Sequence, residues 1–318
     1  MSNLQQIARS LSWKRRIPGL KAWNRLFYRR EHPSLERDAF GIHFLHPVGV
    51  APVLEHQADL LDELASLGFS FTGIIPGETP VQTIAERLMS RESGIIAGIE
   101  LRAEGDDEEL ARRKIIRTYS LLYDFADCFI VDINKESGLS SLDDLSDWVG
   151  VLDELLSLRL CYERYKPILV RFSPSHAGED LDRILDFCLL SGIDGVIAPG
   201  IRMVKQAADY TKGRLPIIGS GAITTTEAAV ALLESGACLI EVAQGLEKNT
   251  CSTAKRLLEA IDNPFQSLCS MHPSAPSAMK SSLARWWTPI LRGSLQPWKR
   301  PASVSPGWSP LGITGPRF

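Results

Sequence analysis

A regular alternation between Phe40 and Asp262 restricts the fold more than any other feature of this chain. Eight short apolar runs are separated by longer stretches of helical period. The runs are HPVGVAP around Pro47–Pro52, FSFTGII from Phe69, GIIAGIEL from Gly94, CFIVDIN from Cys128, PILVRFS from Pro167, IDGVIAP from Ile193, LPIIGSG from Leu215 and CLIEVAQG from Cys238. They are continuous rather than alternating, as in parallel strands covered on both faces. The stretches between them, among them LLDELASLG after Asp59, DDEELARRKIIRTYSLLYDF and EDLDRILDFCLLSG, space their apolar residues at i, i+3 and i+4. Eight strands, each followed by a helix or crossover, predict an α/β fold of the (β/α)8 TIM-barrel type. An open doubly wound sheet normally carries a glycine fingerprint after its first strand. Here that position reads Ala51-Pro52-Val53. A barrel takes about 200–250 residues, which residues 40–262 supply.

The flanks differ from this body. Residues 1–39 carry nine Lys/Arg against three acids, and residues 263–318 carry six Lys/Arg and no acid. The middle is therefore strongly acidic, although the net charge of the chain is only −3. An acidic body does not hold nucleic acid along its surface, so no nucleic-acid partner is expected. The arm 1–39 mixes its cations with Leu4, Ile7, Leu11, Trp13, Trp23, Leu26 and Phe27, and Pro18-Gly19 breaks it into two helical stretches. One reading is a peripheral membrane contact, with aromatics among headgroups and Lys/Arg on phosphates. The preferred reading is a helix pair covering the bottom of the next domain. The tail 263–318 holds nine Pro, ten Ser and four Trp and is expected to be disordered.

No run of 18 apolar residues is present, and the start lacks the apolar core of a secretory signal. The six cysteines form no CxxC pair. Together these predict reduced thiols in a cytoplasmic protein, peripheral at the inner membrane face if the arm binds lipid. The composition does not fix an oligomeric state.

In a barrel the chemistry sits at the C-terminal strand ends. Those ends are Pro52–His56, Pro76–Glu78, Glu100–Arg102, Asp132–Ser137, Arg171–Ser173, Pro199–Arg202, Gly219–Ala222 and Gln244–Gly245. Gly219-Ser220-Gly221-Ala222 runs into a helix start, and Gln244-Gly245 precedes another. Glycine turns let backbone N–H groups approach a ligand, and helix N-termini favour anions. Paired loops after the seventh and eighth strands commonly bind phosphate, so a small phosphorylated ligand is expected there. Arg171 either faces an anionic ligand or pairs with Asp132 or Glu100 across the mouth. Lys135 would be a general base if burial lowered its pKa, though a solvated loop charge is the commoner outcome. His43 and His46 are an odd number of residues apart in a strand-like stretch and so face opposite ways. No metal site is expected.

GIHFLHPVGVAPVLEHQADLLDELASLGFSF, LYDFADCFIVDIN, KPILVRFSP, SGIDGVIAP and GRLPIIGSGAITTTEAAVALLESGACLIEVAQG resemble, in order, the dihydroorotate dehydrogenase family. The quinone-reducing, membrane-associated class is the closer one, because basic helices also precede its hairpin. The resemblance spans roughly residues 25–262. It implies an FMN flavoprotein that oxidises dihydroorotate to orotate in pyrimidine biosynthesis. By position, the flavin would meet Ala51, Arg171, Gly219, Ser220, Gly221, Ala222, Gln244 and Gly245. Arg171 stands where the family has a lysine beside the flavin ring. His56, Asp132 and Ser137 fall at substrate positions, and Lys135 falls at the position of the family's serine base.

The departures cluster in that site. His56 replaces a substrate lysine, Glu100 an asparagine, Lys135 the serine base, and Pro199-Gly200 a Thr-Asn pair. Carboxylates beside an anionic ligand cost binding, and loss of the serine removes a proton acceptor. These changes predict an inherited fold with impaired or lost dihydroorotate chemistry. The alternatives are a noncatalytic family member and a barrel that binds another phosphorylated ligand.

Overall fold

The computed structural model describes residues 33–53, 56–103, 107–133, 145–176, 178–221, 223–243 and 246–262. Most of the arm 1–39 and the whole tail 263–318 lie outside them. A two-stranded antiparallel hairpin comes first, β1 (Arg37–Ala39) and β2 (Ile42–Phe44), with Ala39 paired to Ile42. Eight strands follow: β3 (Val48–Val50), β4 (Phe71–Ile74), β5 (Ile96–Arg102), β6 (Cys128–Asp132), β7 (Ile168–Arg171), β8 (Gly195–Pro199), β9 (Ile217–Gly221) and β10 (Leu239–Val242). Every neighbouring pair is parallel, and β10 pairs with β3 to close the barrel. Seven of the eight predicted apolar runs contain one of these strands, and β5 runs one residue past the end of its own. The (β/α)8 reading therefore holds, and the open-sheet alternative falls because β10 returns to β3.

Eight α-helices form the outer layer among the described residues: α1 (Leu61–Ser66), α2 (Val81–Ser90), α3 (Glu108–Leu122), α4 (Leu145–Arg159), α5 (Glu179–Ser191), α6 (Gly200–Thr211), α7 (Thr226–Glu234) and α8 (Leu246–Asp262). Local chemistry sets their ends. Asp107 caps α3 by accepting from Leu110 N–H at 3.0 Å, with Glu108 and Glu109 in the first turn. Thr225 caps α7 through Ala228 N–H. Gly192 ends α5 in the left-handed region. Among the described residues no helix is long and apolar enough to cross a membrane.

Period-two alternation along the strands separates two cores. Outward residues such as Val48, Ile99, Val131, Val170 and Ile240 pack against the helices. Inward residues Phe71, Ile130, Leu169, Ile197, Ile218 and Leu239 fill the barrel together with Phe40 and Phe44 from the hairpin. The hairpin is thus a plug at the N-terminal end of the strands. Phe40, at its turn, has φ 55 and is 8% exposed. Such a conformation is costly for a bulky residue, and burial of the ring offsets it. Two inward glycines make the room. A Cβ on Gly195 would lie 2.1 Å from the Phe40 ring, and one on Gly49 would lie 2.5 Å from the Phe71 ring. We expect Gly195→Ala to lower stability by about 1–3 kcal/mol through overpacking. Gly150→Ala in α4, where a Cβ meets nothing within 4 Å, should raise it by up to about 1 kcal/mol. Urea denaturation of both variants checks the contrast.

Candidate active site

Above the apolar layers the barrel interior turns ionic. The alternation that points Leu169 inward also points Arg171 inward from β7, and in the same way Glu100 projects from β5, Asp132 from β6 and Glu241 from β10. Arg171 donates from Nε to Glu100 Oε2 at 3.0 Å and from Nη2 to Glu241 Oε2 at 3.2 Å, and its Nη1 bonds Glu241 Oε1. Arg102, two residues along β5, donates from Nε to Glu100 Oε1 at 2.7 Å, and the same nitrogen lies 3.1 Å from Asp132 Oδ2. Glu100 therefore holds two arginines at once, one on each oxygen. The three carboxylates are essentially buried, whereas the Arg171 and Arg102 side chains are 12% and 26% exposed. A cavity of about 20 Å³, water-sized, adjoins Glu100 and Arg102 and is also lined by Lys114 and Thr118.

This layer fixes the charge state of its central residue. Burial alone would push the Arg171 guanidinium down. The charges of Glu100 and Glu241 outweigh that, and its pKa rises above the ordinary arginine value. Of the two sequence readings of Arg171, pairing across the mouth is the one the structure carries. The Glu100 partner was foreseen. Asp132 pairs instead with Arg102, and the bidentate partner of Arg171 is Glu241, which no motif singled out. Its signal was a carboxylate inside the apolar run CLIEVAQG, at the inward phase set by Leu239.

The remaining predicted residues divide into three groups. Ala51 is buried at the end of β3, where its N–H bonds Val242 O at 3.1 Å and its carbonyl accepts from Gln57 Nε2 at 3.1 Å. Gln57 also bonds Thr72 Oγ1 of β4, tying the connection after β3 to the barrel. Beside it Pro52 leans over β4, where a Cβ on Gly73 would lie 3.1 Å from its ring. His56 is exposed, in the left-handed region at φ 54, and opens the 3-10 turn Gln57–Leu60. It lies on a loop and not at a strand end. His43 is exposed and bonds Asp38 at 2.8 Å, whereas His46 is buried and accepts from Val48 N–H. The predicted opposite orientations hold. Lys135, Ser137, Ala222, Gln244 and Gly245 lie outside the described residues. Among the described residues no group of His, Cys, Asp and Glu is arranged to hold a metal ion.

At the end of β9 the three candidate phosphate residues play different parts. Gly219 faces outward, where a Cβ would meet Leu232 and Ala237 of the α7 layer at 3.2–3.3 Å, so packing accounts for its missing side chain. Ser220 is partly exposed at the mouth. Gly221 has φ 144 and an open face, where a Cβ would find only Gly200 N at 3.7 Å. That nitrogen begins α6, a helix with no side-chain cap and no acid in its first turn. Exposed backbone at a helix start suits a phosphate. The ring end of a flavin fits less well. A reduced flavin is anionic and needs a cation beside it, and here the donors of Arg171 face Glu100 and Glu241. Among the described residues, the open Gly221 turn suits the phosphate of FMN, and Arg171, engaged by Glu100 and Glu241, does not suit its ring.

Fold and strand-end layer together place the chain among the (β/α)8 barrels. No family model matches it. It is 24% identical over 289 residues to the dihydroorotate dehydrogenase (quinone) of Christiangramia forsetii, covering 72% of this chain and 85% of that one. A second relative of the same name, from Roseiflexus sp., is 26% identical over 300 residues, 75% of this chain and 83% of that one. A crystal structure of dihydroorotate dehydrogenase from Eimeria tenella, in complex with ferulenol, superposes with a TM-score of 0.68. It covers 80% of this chain and 91% of that chain, at 18% identity. Over most of its length the chain is thus similar to proteins named dihydroorotate dehydrogenase (quinone), in line with the resemblance of the ordered sequence motifs.

Removing one member of a buried ion layer strands the others. Arg171→Met should lower stability by about 3–5 kcal/mol. Adding Glu100→Gln and Glu241→Gln to it should recover most of that loss, read by urea denaturation of the single and triple variants.

Proposed function

We propose that this chain is a dihydroorotate dehydrogenase-like barrel that binds a phosphorylated ligand at the ends of β9 and β10 and no longer oxidises dihydroorotate. One observation carries the second half: the Nε, Nη1 and Nη2 of Arg171, the cation at the flavin-ring position by resemblance, all bond Glu100 and Glu241. A guanidinium whose charge is offset by two buried carboxylates, and whose three nitrogens each bond one of them, offers little to a reduced flavin or to an anionic substrate. The first half rests on Gly221, its open face and the uncapped start of α6.

FMN is the phosphate ester to try first, because the family resemblance implies it. When bound in that family it supplies the acceptor for a hydride. In this chain the ring end is the poor fit, so no redox step is assigned to it. Lys135 remains the residue at the family's base position, and His56, Asp132 and Ser137 remain at its substrate positions. The basic arm suits a peripheral contact at the inner membrane face, consistent with relatives named for quinone. The second reading, an active dehydrogenase, is favoured by the names of those same relatives.

The test is an FMN titration of the purified full chain by flavin fluorescence, followed by dihydroorotate with a quinone or a reducible dye. We expect saturable FMN binding that weakens at least tenfold in Gly221→Val, and no dye reduction above the flavin-only control. Turnover of dihydroorotate overturns the loss of chemistry. No binding of FMN by a folded sample, shown by circular dichroism, overturns its choice as ligand.

A further inference from the structure

Glu241 is the least expected member of the ionic layer. It lies in the middle of an apolar strand and is 1% exposed. Its two oxygens take the two terminal nitrogens of Arg171 side by side, the geometry in which an arginine grips a carboxylate or phosphate ligand. Glu100 takes the remaining Nε edge from β5, which lies on the other side of β7 from β10 around the ring. The arginine fork at the mouth is therefore filled by a carboxylate that the protein itself supplies.

We propose that Glu241 is a specificity-determining residue that excludes carboxylate-bearing ligands from the barrel mouth by occupying the fork of Arg171. This rests on the reading above of a phosphate-binding barrel, and it narrows the ligand to a phosphate ester whose other end is neutral or cationic. The argument is one of competition and repulsion. An incoming carboxylate must displace a bidentate partner that is covalently held in place. It then sits beside two buried carboxylates in surroundings where like charges repel far more strongly than in water. A neutral or cationic group meets neither obstacle.

Orotate and uracil serve as the probe pair, since they differ by one carboxylate. Calorimetric titration of the full chain should give an orotate Kd weaker than about 1 mM. In Glu241→Gln, which keeps the shape and removes the charge, orotate should bind at least tenfold more tightly while uracil changes by less than twofold. The gain should vanish in the Glu241→Gln, Arg171→Met double variant, which identifies the released fork as the binding group. Circular dichroism confirms folding, and Glu241→Ser replaces Glu241→Gln if the latter does not fold.

Equal orotate affinity in wild type and variant overturns the proposal. So does an equal gain for uracil, which would mean general loosening of the mouth, or a folded variant that still binds no orotate. Dihydroorotate turnover by the wild-type chain strikes the loss of chemistry proposed above, whereas an unchanged orotate preference in Glu241→Gln strikes this inference alone.

Discussion

The shared use of Arg171 by Glu100 and Glu241 ties together strands that are not neighbours in the sheet. β5, β7 and β10 are separated around the barrel by other strands, so these bonds run across the interior and not along a ladder. Parallel strand pairing alone closes the ring, but it leaves the upper interior to be filled. In most positions of this barrel apolar side chains do that. At the top, charges do it. The desolvation of three carboxylates is tolerable only because two guanidinium groups meet them with directed hydrogen bonds. The Glu100 carboxylate, held by both arginines, is the joint on which the arrangement turns.

Below that layer the same interior is organised by size. Gly49 and Gly195 are the small partners of Phe71 and Phe40, and the hairpin places Phe40 and Phe44 under the strands as a stopper. Aromatic rings edge-on to one another, Phe44 on Phe71 at 5.6 Å and Phe40 on Phe44 at 6.3 Å, continue the stack upward. The barrel is therefore apolar at one end and charged at the other. Ser220, in register with Glu241, and Gly221 after it lie at the charged end.

The strands were legible because burial on both faces leaves an unbroken apolar run, and each run carried turn or charge signals at its ends. Two helices were not singled out. α6 starts at Gly200 directly after β8, with no capping side chain and no acid in its first turn. α2 follows Pro80, and its apolar face, Ile84, Ala85 and Leu88, is short. The charged layer was half legible. Arg171, Glu100 and Asp132 stood at strand ends and drew notice, while Glu241 was hidden among Leu239, Ile240 and Val242. Choosing the partners required the closed ring, because sequence spacing does not say which distant strands face each other across a barrel. Combining the barrel with the inward phase of each strand would have put all four residues in one layer. The hydrogen bond of Gln57 to Thr72 was not foreseen, since a glutamine on a loop gives no hint that it turns inward.

The mutual dependence of these charges also bears on how such a protein can change. An amide in place of Glu100, or a lysine in place of Arg171, leaves a partner buried without its full set of hydrogen bonds. Intermediates of that kind carry a penalty of a few kcal/mol, comparable with the whole margin of stability of an ordinary domain. The members of the set therefore tolerate replacement together better than one at a time. The layer behaves as one unit, in which a single change costs more than a coordinated one.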